Sequence, residues 1–172
     1  EVKIILNPSP KIRIDDPAVC EGAEISMRVD SKPDETYSWM AVNNSGFSGS
    51  GPSAAIGNAG LNDGGKYVVT AVSGATGCTG RDTTDIRIIP LPGIPEAIYN
   101  GPLCEGDTMV LDVNDTSTDV SYVWTGPDNF TYLDKKAFVF GVPIAGSGQY
   151  MVTVERGGKC RRQDTLDVLV KP

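Results

Sequence analysis

Apolar and polar residues alternate along much of this chain. Within 23–29, Ile25, Met27 and Val29 fall on one side and Glu24, Ser26 and Arg28 on the other. A period of two is that of a strand with one face buried. The same alternation places Tyr67, Val69 and Ala71 together, then Met109, Leu111 and Val113, then Tyr150, Val152 and Val154. The pattern predicts strands over 11–14, 23–29, 36–42, 54–56, 67–72 and 84–89, and again over 96–99, 108–113, 121–125, 137–140, 149–155 and 165–170. Glycine, asparagine, aspartate and proline break these runs, as turn formers do. The expectation is an all-β protein built from short strands packed in two layers.

The strands fall into two sets because the sequence repeats. Cys20-Glu21-Gly22 returns as Cys104-Glu105-Gly106, Tyr37 and Trp39 as Tyr122 and Trp124, Tyr67 as Tyr150, and Cys78 as Cys160, at offsets of 82 to 85 residues. Phe47 has a looser echo in Phe130. Landmarks in one order at a nearly constant offset indicate one unit written twice. We therefore expect a first domain over 1–90, a linker over 91–95 and a second domain over 96–172. Pro92 and Pro95 stiffen the linker and deny it backbone donors. Residues 1–7 resemble 85–89 at the same offset; they read either as the last strand of a preceding repeat or as a long first strand. Both ends of the chain read as cuts in a longer array.

Several positions carry a family resemblance. Asp63-Gly-Gly65-Lys-Tyr67 matches the Asp-x-Gly-x-Tyr corner of immunoglobulin-type sandwiches, where the tyrosine hydroxyl is tied back to the backbone; Gly148 and Tyr150 keep its second half. Apolar residues follow Gly22 and Gly106 at strand spacing, and Trp39 and Trp124 stand where such domains place a buried tryptophan. Where those domains carry an inter-sheet disulfide, this chain has Val29 with Val69, and Val113 with Val152. Both units thus resemble immunoglobulin-like domains with a valine pair in place of the crosslink. The fold class expected is all-β, with two tandem immunoglobulin-like β-sandwich domains. The expected core is Ile25, Met27, Val29, Trp39, Tyr67, Val69 and Ala71 in the first, and Met109, Leu111, Val113, Trp124, Tyr150, Val152 and Val154 in the second. Val-Cys-x-Gly, Tyr-x-Trp, Gly-x-Tyr-x-Val-Thr and Gly-Cys together resemble the immunoglobulin-like and PKD-like repeats of surface proteins from Bacteroidetes-type bacteria. In the second unit Leu103 and Lys159 replace the valine and the glycine. That resemblance implies secretion, an extracellular or bacterial cell-surface location (outer-membrane associated or periplasm-exported), and roles in adhesion, gliding or glycan capture.

Cys20 and Cys78 are 58 residues apart, and Cys104 and Cys160 are 56 apart. An even count at repeated spacing suggests an oxidising compartment and one bridge per domain, Cys20–Cys78 and Cys104–Cys160. In an immunoglobulin topology, however, the two members of each pair belong at opposite ends of the sandwich, and a disulfide needs Cα atoms within about 7 Å. A folded-back segment, a different topology, free thiols, or a pairing of Cys20 with Cys160 all remain open.

Charge and composition narrow the chemistry. The net charge is −7 and there is no histidine. An acidic chain repels phosphate backbones, so no nucleic-acid partner is expected. Without histidine it lacks the commonest general base and transition-metal ligand. No apolar run approaches the ~20 residues of a membrane helix, so no direct membrane insertion is expected. Asp15 with Asp16, Asp112 with Asp115 and Asp119, and Asp128 with Asp134 are acidic clusters. Calcium is their functional reading and solvated turn aspartates the plainer, preferred one. No catalytic residue, metal ligand or cofactor is assigned, because no nucleophile, base and orienter can be assembled. Asn43, Asn114 and Asn129 open glycosylation sequons, which matter only in a eukaryotic secretory host.

The aromatic residues are the binding candidates. Phe130 and Tyr132 lie in a predicted loop and would stack on a sugar or a protein if exposed. Phe138 and Phe140 share one strand face, read here as inward and core. Two functions are carried forward. One is a non-enzymatic spacer or adhesive repeat of a surface protein, touching other repeats of its parent chain and a surface glycan or protein. The other is a carbohydrate-binding module of a polysaccharide-processing system. A groove of exposed aromatics would favour glycan binding, and a featureless polar surface would favour the spacer.

Overall fold

The computed structural model describes residues 12–14, 17–42 and 46–172. Residues 1–7, the Asp15-Asp16 pair and the sequon at 43–45 lie outside the described residues. The chain divides into two compact units, Glu1–Ile89 and Pro90–Pro172; the stretch read as a linker falls in the second.

The first unit holds β1 (Ile12–Ile14), β2 (Ala18–Cys20), β3 (Ile25–Val29), β4 (Glu35–Ala41), β5 (Ser48–Ser50), β6 (Ser53–Ile56), β7 (Gly65–Ser73) and β8 (Thr79–Ile89). They form two sheets, β1–β3–β6 and β2–β8–β7–β4–β5. Ile25, Met27 and Val29 of β3 pack with Trp39, Tyr67, Val69 and Ala71 of the second sheet, while the intervening Ser26 and Arg28 stay outside. The second unit holds β9 (Glu96–Tyr99), β10 (Leu103–Cys104), β11 (Met109–Asn114), β12 (Val120–Thr125), β13 (Thr131–Tyr132), β14 (Ala137–Val139), β15 (Gly148–Arg156), β16 (Cys160–Val168) and β17 (Val170–Lys171). Its sheets are β14–β11–β9 and β13–β12–β15–β16, with β10 pairing β17 in parallel. Met109, Leu111, Val113, Trp124, Tyr150, Val152 and Val154 form its core. Every core residue expected from alternation and from the family resemblance is buried.

The repeat extends to individual hydrogen bonds. Tyr67 donates to the carbonyl of Asp63 (2.5 Å) and Tyr150 to that of Gly146 (2.9 Å), so both tyrosine corners are made. The indole N–H of Trp39 donates to the Gly51 carbonyl (2.9 Å) and that of Trp124 to the Lys135 carbonyl (3.2 Å). A buried indole needs such an acceptor, because an unpaired N–H in an apolar layer costs about 1–3 kcal/mol. Gly22 and Gly106 follow the two equivalent cysteines at φ of 81° and 90°, a left-handed turn that only glycine makes without steric cost. That turn aims the Gly22 N–H at Ala59 and the Gly106 N–H at Val142.

Three features differ from the expectation. Strands β2, β5, β10 and β13 were not foreseen; each is two or three residues long and offers no alternation to read. Strand β8 starts at Thr79 and β16 at Cys160, five residues earlier than expected. Their first halves are polar, and the ladder with the preceding strand holds them extended. The third difference concerns the cysteines. Cys78 and Cys104 are free, exposed thiols, while Cys20 and Cys160 are disulfide-bonded. Neither intradomain bridge, Cys20–Cys78 or Cys104–Cys160, is formed. The reason is geometric. Cys20 pairs with Ile89 at the far end of β8, and Cys78 precedes its first residue. Ten steps at ~3.3 Å place those ends roughly 33 Å apart, far beyond disulfide reach. Cys104, opposite Lys171, is separated from Cys160 in the same way.

Candidate functional site

The outer face of the β14–β11–β9 sheet is where the second unit departs from the first. Met109, Leu111 and Val113 of β11 point inward, so Val110, Asp112 and Asn114 point outward. The register sets Phe138 opposite Val110, Ile98 opposite Asp112 and Glu96 opposite Asn114. Phe138 is 43% exposed and Phe140 is 79% exposed. Their rings lie nearly parallel, 11° between planes and 6.4 Å between centroids. The expectation that this pair faces inward is corrected: Ala137 takes the inward position, opposite Leu111, and puts Phe138 on the other face.

Polar groups border the aromatic pair. Lys136 forms an ion pair with Asp112 (2.9 Å), and Asn114 donates to Glu96 (2.9 Å). The Asn100 side chain extends the ladder, accepting from the Val110 N–H (2.7 Å) and donating to the Thr108 carbonyl (2.9 Å). Asp112, Lys136, Glu96 and Asn114 line a shallow groove of ≈640 Å³, with Ile98 and Asp134 among others. Burial works to raise the Asp112 carboxyl, but the hydrogen bond from Lys136 and the N–H of Val113 hold it below its ordinary value. The groove therefore presents both charges beside an apolar platform.

The fold itself does not require that platform. In the first unit Ser26 pairs with Ala55 on the equivalent strands, in the register of Val110 with Phe138. The repeat offset sets Gly57 against Phe140. One unit is thus complete with serine, alanine and glycine where the other displays valine and two phenylalanines.

The other aromatic candidates serve the core. Phe130 is half-buried and meets Tyr150 edge-to-face at 5.5 Å, as Phe47 meets Tyr67 at 5.9 Å. Tyr132 is half-buried on β13, opposite Trp124, and packs against the core cluster with Tyr99. Neither Phe130 nor Tyr132 stands out as the exposed loop aromatic expected for stacking.

The acidic clusters are likewise dispersed to separate tasks. Among the described residues no group of three or more His, Cys, Asp or Glu side chains is arranged to hold a metal ion. Asp112 pairs with Lys136, and Asp134 accepts from the Lys135 N–H (2.6 Å). Asp119 and Asp128 occupy left-handed turn positions. Asp115 is 8% exposed, the one buried charged side chain among the described residues. It accepts from the N–H (3.0 Å) and hydroxyl (2.8 Å) of Ser117 and from the Tyr122 hydroxyl (3.0 Å). The Gly93 N–H donates to the same Ser117 hydroxyl oxygen (2.6 Å), and Arg156 donates to the Leu91 carbonyl (3.0 Å). Asp115 therefore anchors the start of its own unit. No helix among the described residues is long and apolar enough to cross a membrane.

No protein-family model matches this sequence. No curated protein matches it either. Solved structures do. Murine CEACAM1b is 12% identical, with 93% of this chain and 100% of that chain covered and a TM-score of 0.56. A chain from a complex of the mouse coronavirus receptor-binding domain with its murine receptor is 11% identical, with 93% and 100% covered and a TM-score of 0.59. The N-terminal eight Ig domains of Down Syndrome Cell Adhesion Molecule, isoform 1.30.30, are 17% identical, with 93% of this chain and 27% of that chain covered and a TM-score of 0.61. At such identities the likeness speaks to architecture: the fold is all-β and immunoglobulin-like.

Proposed function

We propose that this chain is a non-enzymatic adhesive module of a secreted or cell-surface bacterial protein, and that its contact surface is the outer face of the β14–β11–β9 sheet. The observation that carries the reading is the stacked Phe138–Phe140 pair, held in solvent at positions where the sister unit manages with alanine and glycine. A large apolar side chain left exposed marks a surface that another molecule covers, and covering a phenylalanine contributes about 1.5–3 kcal/mol. The disulfide-bonded Cys20 and Cys160 support an oxidising compartment. Similar structures include an adhesion molecule and a chain from a receptor complex, which supports a protein partner. The bacterial origin rests on the repeat motifs quoted above.

A second reading is glycan binding. It is favoured by the groove beside the pair, where Asp112, Lys136, Glu96 and Asn114 supply donors and acceptors next to an aromatic surface. Beads coated with the 172-residue chain test both readings, on a glycan array and on protein-coated surfaces. Retention on protein supports the first and retention on particular glycans the second. Either must fall at least roughly tenfold in a Phe138→Ser/Phe140→Ser variant, the effect of losing about 1.4 kcal/mol. Equal retention of wild type and variant would refute this face as the contact surface.

A further inference from the structure

Strand β14 ends its sheet. The order is β14–β11–β9, so among the described residues no strand pairs with β14 on the side away from β11. Val110 shows which backbone groups that edge presents. Its N–H donates to the Asn100 side chain (2.7 Å) and its carbonyl accepts from the Asn100 N–H (3.3 Å), so both point toward β9. Residues directly opposite in an antiparallel ladder exchange either both backbone bonds or neither. Phe138, opposite Val110, therefore exchanges neither with β11 and turns its N–H and carbonyl to the open edge. Ala137 and Val139, opposite Leu111 and Met109, bond inward. An unpaired apolar edge is a template for another strand. The sister edge is blunted: β6 starts directly after Pro52, and Ala55 holds the place of Phe138.

We infer that β14 pairs antiparallel with β14 of a second copy of this chain, about a twofold axis at Phe138. The inference rests on the reading of the phenylalanine face as a contact surface and names what covers it. The occupant is a second copy because the strand complements itself in this register. Phe138 exchanges both backbone bonds with Phe138 of the second copy, and their rings meet as a cross-strand aromatic pair. Ala137 lies opposite Val139, which keeps the inward face apolar. Lys136 lies opposite Phe140 of the second copy, so an ammonium already held by Asp112 approaches a ring that is 79% exposed. No like charges stand opposite one another along the pairing. A ladder this short makes a weak, reversible contact, and the net charge of −7 on each copy opposes it at low salt.

The test is sedimentation equilibrium of the whole chain from micromolar to millimolar concentration, with amide hydrogen exchange read by NMR at both ends of that range. Salt is kept at about 0.15 M, where the Debye length is about 8 Å, and a mild reductant keeps Cys78 and Cys104 as thiols. A reversible monomer–dimer equilibrium is expected, weakened at least roughly tenfold in the Phe138→Ser/Phe140→Ser variant. Exchange of the Phe138 amide is expected to slow at least roughly tenfold on concentration, while the Val139 amide, bonded inward, serves as the reference. A chain that stays monomeric at millimolar concentration would overturn the inference. So would a dimer in which the Phe138 amide exchanges as fast as in the monomer, since the contact would then lie elsewhere. If the chain is monomeric yet its retention on protein-coated surfaces still falls in the double variant, the self-pairing fails and the phenylalanine face stands as the surface for a different protein.

Discussion

Asp115→Ala should destabilise the second unit through the hydrogen bonds of its buried carboxylate. The wild-type carboxylate receives three hydrogen bonds, from the N–H and hydroxyl of Ser117 and the hydroxyl of Tyr122. Hydrogen bonds to a charged group are worth about 1.5–3 kcal/mol each, but they are not additive and the buried carboxylate sacrifices hydration. Its burial, at 8% exposed, argues for a net loss of about 2–3 kcal/mol, because Ser117 then loses part of its grip on the Gly93 N–H. For a domain of this size that is a fall of roughly 10–20 °C in Tm. Burial works to raise the Asp115 carboxyl, yet the Ser117 and Tyr122 bonds and the charge of Lys135 hold it below its ordinary value. A carboxyl depressed in the folded state contributes stability above its unfolded pKa of ~3.9 and loses it as pH falls through the folded value. The variant should therefore be less stable at pH 7 and show a shallower acid limb. Trp124 emission during urea unfolding, in a Trp39→Phe background, reports the second unit. A midpoint within ~0.5 kcal/mol of wild type, or an unchanged acid limb, would refute the anchoring role.

Three further outcomes follow from the same geometry. Trp39→Ala and Trp124→Ala each empty a fully packed site and should cost about 3–5 kcal/mol by denaturant titration. Gly126→Ala should cost about 1–3 kcal/mol, since its new Cβ would lie 2.5 Å from the Tyr150 ring, and the loss should shrink in a Tyr150→Leu background. Tyr122 is pushed up to about 12, by burial first and then by its bond to Asp115. Folded-state stability should thus decline as pH rises from about 10, the unfolded value, to about 12. Tyr122→Phe should flatten that decline in a pH series of melts; Tyr150, also raised by burial and by the charge of Asp128, keeps part of it.

What the sequence made legible depended on contrast between neighbours. In β3, isoleucine, methionine and valine alternate with serine and arginine, and the inward phase is unambiguous. Across 137–140 every residue is apolar, so period two leaves the phase open, and size is a false guide: the small Ala137 is inward and the large Phe138 outward. The information was nonetheless present in the other copy. Residues 54–57 read Ala-Ala-Ile-Gly against Ala-Phe-Val-Phe, which shows that the fold does without a large apolar side chain at the second and fourth positions. A residue that the fold can spare is free to serve a surface. Asp115 had no such signal, because its burial is produced by Ser117, Tyr122 and the distant Gly93 rather than by its neighbours in Asn114-Asp115-Thr116. The cysteines misled for the opposite reason. Their equal separations follow from the repeat as well as from pairing, and only strand length tells the two apart: a strand of ten steps separates the two members, and no loop choice closes roughly 33 Å. Repetition fixes which positions are equivalent, and geometry alone decides which of them can meet.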